Sequence, residues 1–130
     1  MRAGLGGIRP YRVLIVEDDR RSFDELREAL VQDGHECELV LDMEMARSVL
    51  QERRMDVALI NAGLIERPEQ ELVEQLKEHN PHMRLVLYNG TAERNARRRL
   101  RRRGVDSYLT ESSDLAAAAR AVQRVIREKL

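Results

Sequence analysis

The sequence predicts a single α/β domain, a doubly wound parallel sheet of five strands with five helices. Three observations lead there. Five short apolar runs alternate with five stretches whose apolar residues recur at helical spacing, so the chain repeats a β-α unit. The first and third runs are apolar almost throughout, as strands covered on both faces are. The chain has 130 residues, the length of one domain, and its 42% apolar and 35% charged residues describe a core under a heavily charged surface.

The elements follow in order. Residues 1–10 are Gly-rich and read as a short flexible leader; the domain proper is 11–130. The first strand is expected over 11–16. A helix over 20–32 places Phe23, Leu26, Ala29 and Leu30 on one face, and Gly34 stands where a C-terminal cap glycine belongs. The second strand is 36–41. The second helix, 43–53, turns Met43, Ala46, Val49 and Leu50 inward, and the third strand is 56–60. Pro68 opens a third helix over 68–79. The fourth strand is 84–88, the fourth helix 92–103 ending at Gly104, and the fifth strand a short 107–109. The last helix, 113–128, aligns Leu115, Ala119, Val122 and Ile126, with Ser113 available as its N-cap.

Composition excludes several classes. Trp is absent and the aromatics are Tyr11, Phe23, Tyr88 and Tyr108, so the core must be aliphatic. Cys37 is the one cysteine; it makes neither an internal disulfide nor a cysteine-based zinc site, and it reads as a small buried hydrophobe. His35, His79 and His82 are scattered without metal-ligand spacing and read as surface residues. No apolar run approaches the ~20 residues of a membrane helix, and no signal peptide is present, so the expected compartment is the cytoplasm. The net charge of zero hides an asymmetry: residues 1–65 carry 9 basic and 13 acidic side chains, residues 66–130 carry 14 and 10.

A doubly wound sheet places its site beyond the carboxyl ends of its strands. The segments there are Glu17-Asp18-Asp19, Asn61-Ala62-Gly63, Asn89-Gly90-Thr91 and Thr110-Glu111-Ser112. The acidic cluster has two readings, N-capping of the next helix and a hard-cation site built from carboxylate oxygens.

Taken together, these segments resemble the receiver domains of bacterial two-component response regulators, the flavodoxin-like receiver fold. The resemblance covers residues 12–130. Glu17 and Asp18 fall on the family's acidic pair, Asn61 on its phosphoacceptor aspartate, and the run 104–112 on the segment that in the family ends in Lys-Pro. The resemblance implies phosphoryl transfer to a carboxylate with Mg²⁺ held by the acidic pair, but the residues present depart from it. Asn61 is a neutral amide and forms no acyl phosphate. Asp56 does not substitute, since five residues of strand place it ~16 Å away at the opposite edge. Glu111 stands where the family has the phosphate-binding Lys, reversing the charge, and Ser112 replaces the proline and with it the usual reason for a cis peptide. The family's switch Thr or Ser aligns on Asn89 without a gap, or on Thr91 with a two-residue insertion; Asn89 is preferred. Tyr108 aligns with the switch aromatic, and the plainer reading of a core or interface tyrosine stands beside that. No cofactor is expected, and Mg²⁺ binding at Glu17 and Asp18, with Glu111 as an available third carboxylate, is expected to be weak at most.

The fourth helix carries seven arginines within ten residues. Ala92, Ala96 and Leu100 are expected to face the core, Arg99 and Arg103 to flank that stripe, and Arg94, Arg97, Arg98, Arg101 and Arg102 to point outward. Like charges at i,i+4 cost a few tenths of a kcal/mol each, so a solvated face is a weaker reading than a surface for an anionic partner. In the family, this helix with strand five and helix five is the usual output face. The function expected is therefore that of an atypical receiver, not an enzyme, which binds acidic signalling proteins independently of phosphorylation. Nucleic-acid or nucleotide binding through the arginine helix is the alternative, and no membrane partner is expected. The last helix ends with the sequence, so a receiver without its own output domain is expected.

Overall fold

The computed structural model describes residues 10–129; residues 1–9, nearly all of the expected leader, and Leu130 lie outside them. The elements run β1 (Arg12–Val16), α1 (Arg20–Gln32), β2 (Glu36–Val40), α2 (Met43–Glu52), β3 (Val57–Asn61), a 3-10 turn (Ala62–Leu64), α3 (Glu69–His79), β4 (Arg84–Gly90), α4 (Arg94–Arg102), β5 (Val105–Thr110) and α5 (Leu115–Lys129). All four strand pairings are parallel and the sheet order is β2-β1-β3-β4-β5. The order reverses between β1 and β3, so the crevice of such a sheet opens beyond Val16 and Asn61.

Alternation along each strand divides the core in two. Leu14, Val16, Ala58, Ile60, Leu85 and Leu87 face α2, α3 and α4, where Met43, Leu72, Leu76 and Leu100 meet them. Val13, Ile15, Val57, Leu59, Val86 and Tyr88 face α1 and α5, against Phe23, Leu26, Leu30, Val122 and Ile126. Ala118, Ala121 and Val125 widen the buried stripe of α5 beyond the four positions expected. Short polar side chains start the helices. Asp19 accepts from the Ser22 N–H at 3.0 Å, Asp42 from the Met45 N–H at 2.8 Å and Asp114 from the Ala117 N–H at 2.8 Å. Asp114, not Ser113, is thus the cap of α5. Gly34 ends α1 with φ 88°, a left-handed conformation suited to glycine.

Several expected boundaries shift. β4 runs on to Gly90 and β5 spans six residues, because the two pair along their length through two register irregularities. α4 begins at Arg94, so Ala92 precedes it and packs on the core from the connecting segment. Cys37 is half-buried on the edge strand β2, and its thiol is pushed up to about 11 by that burial. His35 is also half-buried; the Tyr11 N–H donates to its Nδ1 at 3.3 Å. Asp56 is buried at the amino edge, accepting from the Arg12 N–H at 2.8 Å, far from the carboxyl ends as its position before β3 requires.

Leu59 is fully buried on the central strand, so Leu59→Ala should cost about 2–5 kcal/mol, read from the urea midpoint. Val31→Ala, at an exposed position, should stay within about 0.5 kcal/mol. Equal costs would contradict this arrangement of the core.

Candidate functional site: a hydrogen-bonded pocket at the carboxyl ends

The three acids after β1 have three different fates. Glu17 continues the strand by one residue, its N–H donating to Val40 O at 3.0 Å, and its side chain is buried with 3% exposure. Asp18 is exposed. Asp19 is committed to capping α1: the Ser22 hydroxyl donates to it at 2.7 Å, and that bond, followed by the Ser22 N–H, holds its carboxyl below the usual carboxylate range.

A buried carboxylate is costly unless donors surround it. Glu17 has three. The Asp19 N–H donates to Oε2 at 3.0 Å, the Asn61 side-chain amide to Oε1 at 3.2 Å and Oε2 at 3.4 Å, and the Tyr88 hydroxyl to Oε1. Burial, then this bond to Glu17, push the Tyr88 phenol well above its ordinary range, so it remains a donor. The other half of the Asn61 amide is also occupied. Its Oδ1 accepts from the Gly63 N–H at 2.9 Å, which opens the 3-10 turn, and from the Asn89 side-chain amide at 3.1 Å.

Asn89 reaches Asn61 because the end of β4 departs from regular strand. It has φ 58°, the left-handed region that asparagine tolerates, and it sits at the register irregularity between Leu87 and Gly90. Thr91 lies exposed beyond that irregularity. Asn89, and not Thr91, is hydrogen-bonded to Asn61. Glu111 is exposed, and its N–H donates to Gly90 O at 3.0 Å, tying the end of β5 to that of β4. Thr110 and Ser112 share a hydroxyl–hydroxyl bond of 2.8 Å, and no peptide bond among the described residues is cis.

Tyr108 is turned inward with 6% exposure. A Cβ on Gly90 would overlap its hydroxyl and ring, so the absence of a side chain at position 90 makes its seat. The hydroxyl accepts from the Ala92 N–H at 3.0 Å; the Ala92 carbonyl in turn accepts from Arg97 Nη1 at 2.7 Å. Burial raises the Tyr108 phenol, and burial raises Glu69 at the start of α3, a carboxyl drawn back down by the Tyr108 hydroxyl.

On α4, Arg94, Arg98, Arg101 and Arg102 are exposed, as expected. Arg97 is not outward: it is half-buried and folded back on Ala92. Arg103 pairs with Glu74 of α3, and Arg99 is exposed above Pro68, Ala96 and Leu100 in a cleft between α3 and α4. Among the described residues, Arg94, Arg98, Arg99, Arg101 and Arg102 form no ion pair within the chain. Arg120, Arg124 and Arg127 are exposed on α5, on the other face of the edge strand β5.

A Mg²⁺ ion needs several oxygen ligands free to turn toward it. The residues present do not fit one. Glu17 is occupied by three donors, Asp19 by Ser22, and position 61 offers an amide; among the described residues no cluster of three or more His, Cys, Asp or Glu side chains suits a metal.

The family model for the response regulator receiver domain matches residues 13–123. The fold is similar to that of a CheY-like response regulator receiver domain protein from Methanospirillum hungatei, with 21% identity, a TM-score of 0.77, and coverage of 92% of this chain and 95% of that one. A response regulator from Thermotoga maritima gives 18%, 0.77, 93% and 100%, and an orphan response regulator of H. pylori gives 15%, 0.76, 90% and 98%. At these identities the solved structures speak for the fold alone. No curated protein matches the chain in sequence.

The seat of Tyr108 yields a double-mutant test. Gly90→Ala should cost about 1–3 kcal/mol in the natural background, through displacement of the ring. In a Tyr108→Ala background it should cost close to nothing, since the clash is gone. Denaturant midpoints of the four proteins measure the coupling, and the same cost in both backgrounds would contradict the steric account.

Proposed function

The chain belongs to the response regulator receiver domain family, and we propose that it signals without accepting a phosphoryl group, binding an acidic protein partner through the edge formed by α4, β5 and α5. A receiver is a signalling module rather than a catalytic one. The observation that carries the reading is Asn61 at the carboxyl end of β3. An amide nitrogen whose lone pair is delocalised is no nucleophile toward phosphorus, and both polar atoms of this one are bonded within the protein. Glu111, at the position the resemblance assigns to a phosphate-binding Lys, follows β5 at the carboxyl end of the sheet and brings negative charge there instead of positive, which disfavours a phosphoryl group.

The partner face is supported by charge. Five exposed guanidiniums that form no ion pair among the described residues stand on α4, and three more stand on α5 across the edge strand. Guanidinium forks suit carboxylates held in bidentate pairs. No helix among the described residues is long and apolar enough to cross a membrane, and the reading places the domain in the cytoplasm, where its partners would be signalling proteins. The exposed arginine row equally motivates the competing reading, a nucleic acid on α4; its signature is affinity that falls steeply with salt.

Two measurements test the proposal. Incubation with a small phosphodonor and Mg²⁺ should leave the intact mass unchanged; a gain of one phosphoryl group on an aspartate would refute phosphate independence. A protein captured from the native extract should be lost when Arg94, Arg98, Arg101 and Arg102 are changed to Glu, while DNA and RNA oligonucleotides should show little affinity at physiological salt. Tight, salt-sensitive oligonucleotide binding abolished by the same four changes would favour the nucleic-acid reading instead.

A further inference from the structure

We propose that Tyr88, acting with Asn61, closes the acidic pocket to divalent cations by supplying, from within the protein, the donors that hold the Glu17 carboxylate. The inference rests on the reading of Asn61 as a lost acceptor and goes beyond it: restoring an aspartate at position 61 should not by itself restore a cation site, because Tyr88 still holds Glu17.

The sheet register explains why Tyr88 is able to do this. Val16 pairs with Ile60, and Asn61 with Tyr88, so Glu17, Asn61 and Tyr88 stand side by side across β1, β3 and β4 at their carboxyl ends. Alternation turns Tyr88 toward the α1/α5 face, where its ring is buried at 5% exposure. Neighbouring strands lie about 4.8 Å apart, so β1 and β4 are separated by about 10 Å. A tyrosine is long enough to cross above β3 and carries a donor at its tip. Leu or Phe at this position would fill the core and leave the carboxylate free to turn outward.

Most of the acceptor capacity of Glu17 is taken up without an ion. A carboxylate has about four acceptor sites; Glu17 engages the Asp19 N–H, the Asn61 amide and the Tyr88 hydroxyl. A cation drawing Glu17 outward would strand the Tyr88 hydroxyl inside an apolar cluster. It would also break the Asn61 amide from its anchor, and with it the bond to Asn89 would be disturbed. Asp18 alone of the three acids is left for an ion, and one exposed carboxylate does not make a site.

The test is Mn²⁺ binding by the full chain, followed by calorimetry, for the natural protein, Asn61→Asp, Tyr88→Phe and the double variant, with circular dichroism as the check on folding. The natural protein should show no binding at millimolar Mn²⁺. The double variant should bind about 10- to 100-fold more tightly than Asn61→Asp, the range in which residues behind the ligands tune metal affinity. Asn61→Asp binding as tightly as the double variant would overturn the role of Tyr88, as would millimolar binding by the natural protein. Should a Tyr88 variant fail to fold, paramagnetic broadening in the natural protein decides. Asn61 and Tyr88 resonances untouched by Mn²⁺ support the proposal, and their selective loss overturns it. No phosphodonor is present, so failure here is separable from failure of phosphate independence, which is read from the mass of the protein after incubation with a phosphodonor.

Discussion

A buried carboxylate organises this domain. Glu17 sits at the reversal of strand order, withdrawn from water, and a charge there persists only where donors converge on it. They come from three elements: the backbone of the β1–α1 turn, the end of β3 and the end of β4. The same requirement explains the neighbouring residues. Asn61 must present its nitrogen to Glu17, which turns its oxygen toward Gly63 and Asn89. A carboxylate could not make the first of these contacts as a donor, so the neutral amide is integral to the pocket.

From this pocket a line of packed and bonded groups reaches the surface. Asn61 bonds Asn89, Asn89 leads into the side-chain-free Gly90, Gly90 seats Tyr108, and Tyr108 holds the Ala92 N–H while Arg97 holds the Ala92 carbonyl. Contiguity alone is not coupling, which requires an element with two arrangements that both ends bias. Every group in the line is engaged in one arrangement here. An input able to shift it would have to interact differently with a second arrangement.

The scaffold was legible in the sequence because it depends on periodicity. The apolar runs expected at 11–16 and 56–60, the helical spacing of Phe23, Leu26 and Leu30, and the position of Gly34 each follow from local rules; the two strands are found within a residue of those bounds, and the helix face and the glycine as expected. β5 lengthens because it follows β4 across the sheet, while the α5 cap moves from Ser113 to Asp114 for a local reason, the bond from the Ala117 N–H. In the pocket, Asn61 and Glu17 were visible as residues at strand ends. Tyr88 was not, because along the chain it only closes an aliphatic strand. Its part emerges from register across three strands, which requires knowing that β3 lies between β1 and β4. The signal that could have found it was the placement of positions 17, 61 and 88 in one row. Arg97 escaped for a similar reason. A helical wheel places it outward, while its bond is to a carbonyl in the segment before the helix.

The arginines on α4 need an explanation that the pocket does not provide. Repulsion at Arg94–Arg98 and Arg98–Arg102 costs a few tenths of a kcal/mol each in a helix of nine residues, and only Arg103, just past its end, pairs with a carboxylate on α3 among the described residues. Leu100 alone is fully buried on α4, so this helix is held by a narrow apolar contact and by its ends. That makes the anchoring of its approach consequential. With Ala92 bonded at both its N–H and its carbonyl, the segment leading into α4 is held. The line of contacts that begins at the buried Glu17 carboxylate thus ends at the segment from which the charged surface of α4 projects, where Tyr108 and Arg97 hold Ala92.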